Sequence, residues 1–320
     1  MEYIKSTMDF HIVEPSVVTL GKFDGLHLGH RYLMEELTRG KQQGLTSVVF
    51  TFDIPPRALG QEGYRVLSTN EEKVHIFEEA GVDYLIECPF TEEFRSLSPH
   101  AFLEMLTGKI CVRRMVAGTD FCFGHKRSGT YRELREFAPE FGYEAVIVDK
   151  MQYKGADISS TRIRECISRG DMEEANHLLG YEYFVSAPVR HGNALGRTIG
   201  FPTANQLPPG EKLLPPNGVY AVHAVVNGKT YCGVCNIGRK PTIGGNYPVG
   251  IETFFFDFHG DIYDRDLRVS FVKFIRPEKK FASVEALAAQ IERDKETCRR
   301  FFGLQGQAAV NGRRGGDKFF

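Results

Sequence analysis

Through its first half the chain alternates short apolar runs with segments whose apolar residues recur at helical spacing. Val17–Leu20, Ser47–Phe52, Val82–Cys88, Ile110–Ala117 and Ala145–Val148 predict strands. Helices between them are announced by their starts. Arg31–Gly40 reads as one. Thr69 with Glu72 forms a capping box before Val74, Ile76 and Phe77, and Ser98-Pro99 supplies a cap and a first-turn proline before Phe102, Leu103 and Leu106. Strands and helices in alternation predict a parallel sheet covered on both faces, with ligands bound beyond the carboxyl ends of the strands. Two short helices close this half. One runs from Ser160 to about Ser168 and stops at Gly170; the other has Asp171 as cap, Glu174 as its reciprocal partner and Gly180 at its end.

After Tyr181 the pattern changes to β. Val219–Val226, Asn227-Gly228 and Lys229–Cys235 predict a hairpin with its turn dipeptide, and Ile251–Phe258, His259-Gly260-Asp261 and Asp266–Ile275 predict a second. Antiparallel strands with loops rich in Gly and Pro point to a small barrel. One helix follows, opened by Ser283 and carrying Val284, Leu287, Ile291 and Phe302. From Gly303 the composition turns to Gly, Gln and Arg. The expected organisation is therefore one domain over 1–182, a second over 183–303 and a flexible tail over 304–320. No internal repeat is visible.

Composition narrows the function classes. The 320 residues carry a formal net charge of −1, which argues against a partner held by bulk electrostatics, nucleic acid or anionic membrane. The N-terminus, with Glu2, Lys5 and Asp9, lacks a signal-peptide pattern, and no apolar run approaches a membrane span. The expectation is a cytoplasmic protein. Seven scattered cysteines fit reduced thiols better than a disulfide framework, and Cys232-x-x-Cys235 has no second ligand pair.

The chemistry begins at Gly21-Lys22-Phe23-Asp24-Gly25-Leu26-His27-Leu28-Gly29-His30, directly after the first apolar strand. A helix start offers unpaired N–H groups and partial positive charge to a phosphate. His27 and His30 add directed donors on the first turn, and the glycines let the backbone approach a ligand. A second set, Ser159-Ser160-Thr161-Arg162-Ile163-Arg164, places hydroxyls and guanidiniums at another helix start. This pair of motifs resembles the bacterial bifunctional riboflavin kinase / FMN adenylyltransferase (FAD synthetase) family. The resemblance implies a Rossmann-like, α/β nucleotidyltransferase domain at the N-terminus. In it Gly21, Phe23, Asp24, Gly25, His27, His30, Ser159, Ser160, Thr161, Arg162 and Arg164 bind ATP, and His27, His30 and Arg164 act in catalysis. Attack by an anionic phosphate on the α-phosphorus of ATP needs no protein nucleophile, only positioning and charge neutralisation.

Gly118-Thr119-Asp120-Phe121-Cys122-Phe123-Gly124 resembles the family's flavin-side element, implying that Asp120, Phe121 and Phe123 contact the flavin. The loop Phe52-Asp53-Ile54-Pro55-Pro56 departs from the family's F-E-P-H-P and retains Pro56 for that role.

The second half carries Gly192-Asn193-Ala194-Leu195-Gly196-Arg197-Thr198-Ile199-Gly200-Phe201-Pro202-Thr203-Ala204-Asn205. A glycine-rich loop suits phosphates, no Walker G-K-[S/T] occurs, and Thr203 and Asn205 offer neutral oxygens to a magnesium that keeps several waters. The whole resembles the flavokinase signature. It implies a riboflavin-kinase-like antiparallel barrel with a C-terminal helix, in which Gly192, Gly196, Arg197, Gly200, Pro202, Thr203 and Asn205 bind ATP with Mg2+. Pro216-Asn217-Gly218-Val219-Tyr220 and Asn236-Ile237-Gly238-Arg239-Lys240-Pro241-Thr242 fit the same family. By the match Glu252 is the general base, and Arg276 and Glu278 approach the flavin. The chain reads Glu252-Thr253-Phe254 where the family commonly has histidine third, so a monofunctional adenylyltransferase with an impaired kinase half is the alternative. A different H-x-G-H nucleotidyltransferase and a ligand-binding regulator are the remaining ones. The expected substrates and products are riboflavin, FMN, FAD and ATP, with no nucleic-acid or membrane partner.

Overall fold

The computed structural model describes residues 1–53, 63–191, 202–239 and 249–304. By internal packing the chain divides into two units, the first over Met1–Ser160 and the second beginning at Thr161. In the first unit the strands are β1 (Glu2–Lys5), β2 (Ile12–Leu20), β3 (Thr46–Phe52), β4 (Tyr84–Cys88), β5 (Ile110–Gly118), the short pair β6 (Cys122–Phe123) and β7 (Gly129–Thr130), β8 (Glu144–Val148), and the small hairpin β9 (Gln152–Tyr153) and β10 (Ala156–Asp157). Among the described residues six of them form one sheet in the order β1-β4-β3-β2-β5-β8, all pairs parallel. Every predicted strand of this half is present. β1, too polar to stand out in the sequence, adds an edge.

Helices α1 (Arg31–Gln42), α2 (Asn70–Glu79), α3 (Glu92–Ser96), α4 (Pro99–Lys109), α5 (Tyr131–Glu136) and α6 (Ala138–Phe141) connect these strands. Successive strand residues face opposite ways. Val18, Leu20, Val48, Phe50 and Met115 therefore meet Phe102, Leu103 and Leu106 of α4 on one face. Val17 on the other face backs onto Gly40 of α1. The capping box at α2 forms in both directions: the Glu72 N–H donates to Thr69 Oγ1 at 3.2 Å, and the Thr69 N–H to Glu72 Oε2 at 3.0 Å.

Helix α7 (Ser160–Ser168) leads into the second unit and α8 (Met172–Leu179) follows. Asp171 caps α8 by accepting from the Glu174 N–H at 3.1 Å. The reciprocal half expected of Glu174 gives way to an ion pair. The Asp171 N–H is taken by Cys166 O at 2.9 Å, and the Glu174 carboxylate accepts from Arg162 at 3.0 Å.

Strands β11 (Phe184–Arg190), β12 (Ala204–Gln206), β13 (Gly218–Val226), β14 (Lys229–Arg239), β15 (Val249–Phe255) and β16 (Asp266–Pro277) close into an antiparallel barrel ordered β11-β12-β15-β14-β13-β16. The first predicted hairpin is β13–β14. Its turn residues Asn227 and Gly228 take φ of +52° and +76°, the double left-handed geometry of a two-residue hairpin. The second is overturned. β15 pairs with β12 and β14, whereas β16 pairs with β11 and β13. The connection peels off at once: Asp257 has φ +56°, the Asp264 N–H donates to Val189 O at 2.8 Å, and the Val189 N–H donates to Arg265 O at 2.9 Å. The chain is thus steered to β11, and closure leaves no bare edge. Helix α9 (Val284–Phe301), capped by Ser283, lies where Val219, Ala221, Val234 and Phe256 gather with Cys298. Arg276 on β16 clamps it, donating to both oxygens of Asp294 at 2.6 to 3.1 Å.

All seven cysteines are free thiols. Cys232 and Cys235, three apart on β14, point to opposite faces, so they do not converge on a metal.

Candidate active sites

The loop after β2 is built around buried side chains. The Gly21 N–H donates to Phe50 O at 3.1 Å, which ends the strand. Phe23 adopts φ +45°, a strained conformation for a bulky residue, and Gly25 follows at φ +64°. The Phe23 ring is buried edge-on against Phe77, centroids 5.4 Å apart, and touches His30 at 5.3 Å. It shapes the loop and presents no face to a ligand. Asp24 likewise acts as a tie: its carboxylate accepts from the N–H groups of Leu67 and Ser68 at 2.7 and 3.2 Å.

His27 caps a 3-10 turn over Leu28–His30 that runs into α1, and its carbonyl accepts from the His30 N–H at 2.7 Å. The two imidazoles stack with centroids 3.9 Å apart and planes 25° from parallel. Gly29 is required there, because a Cβ would lie 2.9 Å from the His27 ring and 3.1 Å from Ile158 O. Nδ1 of both rings is buried without a hydrogen-bond partner among the described residues. Burial holds His27 well below the usual imidazole pKa, helped by His30, and lowers His30 to about 4, with Asp120 opposing. Two neutral imidazoles with unspent ring nitrogens can donate to an anion.

The serine end of the second motif meets this loop at its stem. Ser159 precedes α7 and Ser160 opens it, and Ser160 Oγ donates to Asp24 O at 2.9 Å. Thr161, Arg162 and Arg164 follow on the helix. Thr161 is exposed, Arg162 is paired with Glu174, and Arg164 is half-buried, its pKa lowered by desolvation. On the flavin-side segment Asp120 is exposed, Phe121 is half-buried and Phe123 is buried in the core, the two rings stacked at 5.5 Å. Phe123 is a floor, and Phe121 is the ring nearer solvent. Pro56 lies outside the described residues.

On the barrel, β12, β15 and β14 bring Asn205, Glu252 and Asn236 into one row, with Glu252 directly across from both asparagines. Asn236 lies in a motif that fits the family, but only strand pairing puts it beside Glu252. Asn205 Nδ2 donates to the carbonyl and hydroxyl oxygens of Thr203 at 3.1 and 3.2 Å, and Pro202 is exposed just before them. Glu278 accepts from Asn217 Nδ2 at 3.2 Å, and its Oε1 occupies the space a side chain at Gly238 would need, 2.5 Å from the Cβ position. Phe254 shares the Glu252 face, as two-residue spacing requires. Its ring packs on Phe256 and lies 4.8 Å below Lys295 of α9. Arg276, engaged by Asp294 and Pro277 O, is a clamp on α9. Gly192, Gly196, Arg197 and Gly200, with Lys240, Pro241 and Thr242, lie outside the described residues.

Comparison with known proteins agrees with this two-part layout. The FAD synthetase family matches residues 9–162 and the riboflavin kinase family residues 179–302. A protein of Listeria monocytogenes named bifunctional riboflavin kinase/FMN adenylyltransferase is 40% identical over 89% of this chain and 92% of its own length. This chain belongs to the bifunctional riboflavin kinase/FMN adenylyltransferase family. Family members from Bacillus subtilis and Escherichia coli are 38% and 37% identical, over 94% and 91% of this chain and 98% and 94% of theirs. A crystal structure solved under the name of a macrolide-efflux protein from Streptococcus pneumoniae shares the fold, with TM-score 0.83 and 32% identity over 93% of this chain and 98% of that one. Among the described residues no helix is long and apolar enough to cross a membrane. Both parts of the family's architecture, the parallel-sheet unit and the closed barrel, are thus carried by one chain.

Proposed function

We propose that this chain makes FAD from riboflavin in two steps, each at its own site. The barrel transfers the γ-phosphoryl of ATP to riboflavin, giving FMN and ADP. The parallel-sheet half joins FMN to AMP from a second ATP, giving FAD and pyrophosphate. The observation that carries this reading is the coexistence of two separate polar sites: the stacked His27 and His30 after β2, whose buried Nδ1 atoms have no hydrogen-bond partner among the described residues, and the Asn205–Glu252–Asn236 row on the barrel.

In the kinase step Glu252 orients the attacking hydroxyl and accepts its proton, while Asn205 and Asn236 flank it and hold the acceptor in line. Thr203 and Asn205, whose side chains touch, each carry a neutral oxygen, the ligand type Mg2+ accepts when most of its shell is water and phosphate, so these two residues would hold a magnesium carried with ATP. When bound, it would neutralise phosphate charge. In the adenylyl step His27 and His30 donate to the phosphates of ATP, Ser159 and Thr161 add hydroxyls, Ser160 adds a helix-start N–H while its hydroxyl stays on Asp24 O, and Arg164 takes developing charge on the leaving pyrophosphate. Asp120 and Phe121 orient the FMN ring from the opposite segment. The proposed division of labour is adenylyl transfer over 1–182 and kinase over 183–303, acting on small molecules in the cytoplasm.

Two variants test it. His27→Ala/His30→Ala should abolish FAD formation, each donor being worth about 10²–10³ in rate, while FMN still forms. Glu252→Ala should stop FMN formation while FMN supplied from outside is still converted to FAD. Product chromatography reads both, and loss of the wrong product in either folded variant refutes the assignment.

A further inference from the structure

One cation at the carboxyl edge of the parallel sheet has no part in the chemistry above. Lys150 follows β8. Its ammonium donates to Asp157 Oδ2 at 3.1 Å and lies 3.4 Å from Asp120 Oδ2. Asp120 sits on the flavin-side segment after β5, tethered to β8 where the Thr119 N–H donates to Val148 O at 3.1 Å. Asp157 ends β10, immediately before Ile158, Ser159 and Ser160, and its other oxygen accepts from Gln152 Nε2 at 3.0 Å. The Ile158 N–H in turn donates to Met151 O at 3.0 Å, next to Lys150. One side chain therefore joins the flavin-side segment to the stem that delivers the nucleotide-side serines.

Stability does not account for this bridge. The Lys150, Asp120 and Asp157 side chains are 40%, 66% and 41% exposed, and ion pairs so exposed contribute about 0–1 kcal/mol. Electrostatics at the site does. FMN and ATP both arrive as polyanions, and Asp120 is close enough to His30 to act on its charge. Two bare carboxylates at that rim would repel both substrates, and an ammonium between them halves their net charge and weakens that repulsion.

We infer that Lys150 is a positioning residue for adenylyl transfer, bridging Asp120 and Asp157 so that part of their negative charge is offset and the flavin-side segment is fixed against the Ser159–Ser160 stem. The inference rests on the adenylyltransferase reading above. Lys150 acts through the two aspartates and touches no reacting atom, so removing an aspartate should partly undo its loss.

The experiment uses the full chain, FMN with ATP and Mg2+ for FAD formation, and riboflavin phosphorylation by the same sample as reference. Lys150→Met should raise KM for FMN about tenfold and lower kcat by up to about tenfold, within the range misplacement of bound reactants produces. Its Tm should stay within about 2 °C and its FMN formation should be unchanged. Lys150→Arg should recover most of the loss. Lys150→Met/Asp157→Asn should be faster than Lys150→Met alone, and salt raised from about 0.05 to about 0.5 M should shrink the Lys150→Met defect by screening the bare carboxylates. Wild-type FAD kinetics in Lys150→Met, or a double variant as slow as the single, overturns the inference. His27→Ala/His30→Ala keeps the two readings apart: FAD formation surviving in that variant sinks the site reading itself, whereas an inert Lys150→Met beside a dead histidine variant sinks only this one.

Discussion

His27 and His30 combine a local motif with an environment that the motif does not describe. Spacing alone places two imidazoles at a helix start, and the structure has them there. What keeps them neutral is burial, which comes from Phe23, Ile158 and the turn around them, residues brought in by the fold. This neutrality has a consequence for stability. His30 titrates at about 4 in the folded chain and near 6.5 when unfolded, with His27 also lowered. Between those values the unfolded chain binds more protons, so stability falls as pH drops through the window from about 6.5 to about 4 and is fully present above it. For His30 the loss reaches about 3 kcal/mol at the bottom of the window. Urea unfolding of the wild type should show its midpoint falling from pH 7.5 to pH 5, and the double variant His27→Asn/His30→Asn should flatten that fall. Equal pH sensitivity in the two proteins would show that the imidazoles are charged in the fold. Other residues were legible by type and not by partner: Asp24 reads as a ligand group in the motif, yet Leu67 and Ser68, far along the chain, hold its carboxylate.

At the scale of elements, local signals announced starts and turns well and pairings poorly. Caps at Thr69, Ser98 and Ser283 and the Asn227-Gly228 turn lie within a few residues of sequence, and each forms as expected. The pairing of β15 and β16 had to satisfy a closed barrel, a condition on six strands at once, and no window of sequence carries it. The same holds for α9. Its apolar positions Val284, Leu287, Ile291 and Phe302 predict a buried face, yet Val284 is exposed and the buried positions are Asp294 and Cys298, the first of them clamped by Arg276 with its side chain only 6% exposed. Removing one member of such a pair leaves an uncompensated charge in a largely buried place. Asp294→Ala should therefore destabilise the barrel unit by about 3 kcal/mol. Hydrogen exchange should show protection lost over Val284–Phe301 before it is lost in β13 or β14. Because Phe254 packs beneath this helix, two residues from Glu252, riboflavin KM should rise as well. Unchanged protection across α9 would mean that the apolar contacts with Cys298 hold the helix without the clamp.

The whole molecule separates packing from function along the chain. The change of periodicity after Tyr181 suggested a division at 182/183, and the two matched families leave residues 163–178 between them. By packing, the second unit begins earlier, at Thr161. The reason lies in α8. Asn176 Nδ2 donates to Phe271 O at 2.9 Å, its Oδ1 accepts from the Tyr183 N–H at 2.8 Å, and Glu173 pairs with Lys273 at 3.1 Å, all anchoring the helix to β16 and the start of β11. Met172, Ala175, Leu178 and Leu179 are buried behind these bonds. The Ser159–Arg164 motif thus ends, at Thr161, Arg162 and Arg164, on a helix that belongs by packing to the barrel unit. Fragments cut at the two places should separate these properties. Residues 161–320 should fold and make FMN. Residues 183–320, stripped of α8, lose the burial of several apolar side chains, each worth about 1.5–3 kcal/mol, and should melt at least about 10 °C lower. Residues 1–160 should fold yet form no FAD, because the hydroxyl and guanidinium donors beyond Ser160 are missing. Adding 161–182 should restore the donors but expose the apolar face of α8, so residues 1–182 should be active and prone to aggregate. Calorimetry on the two barrel fragments and FAD assays on the two N-terminal ones decide the matter. Equal melting temperatures for 161–320 and 183–320 would show that α7 and α8 contribute nothing to the barrel, and would favour the boundary expected at 182/183 over the one at Thr161.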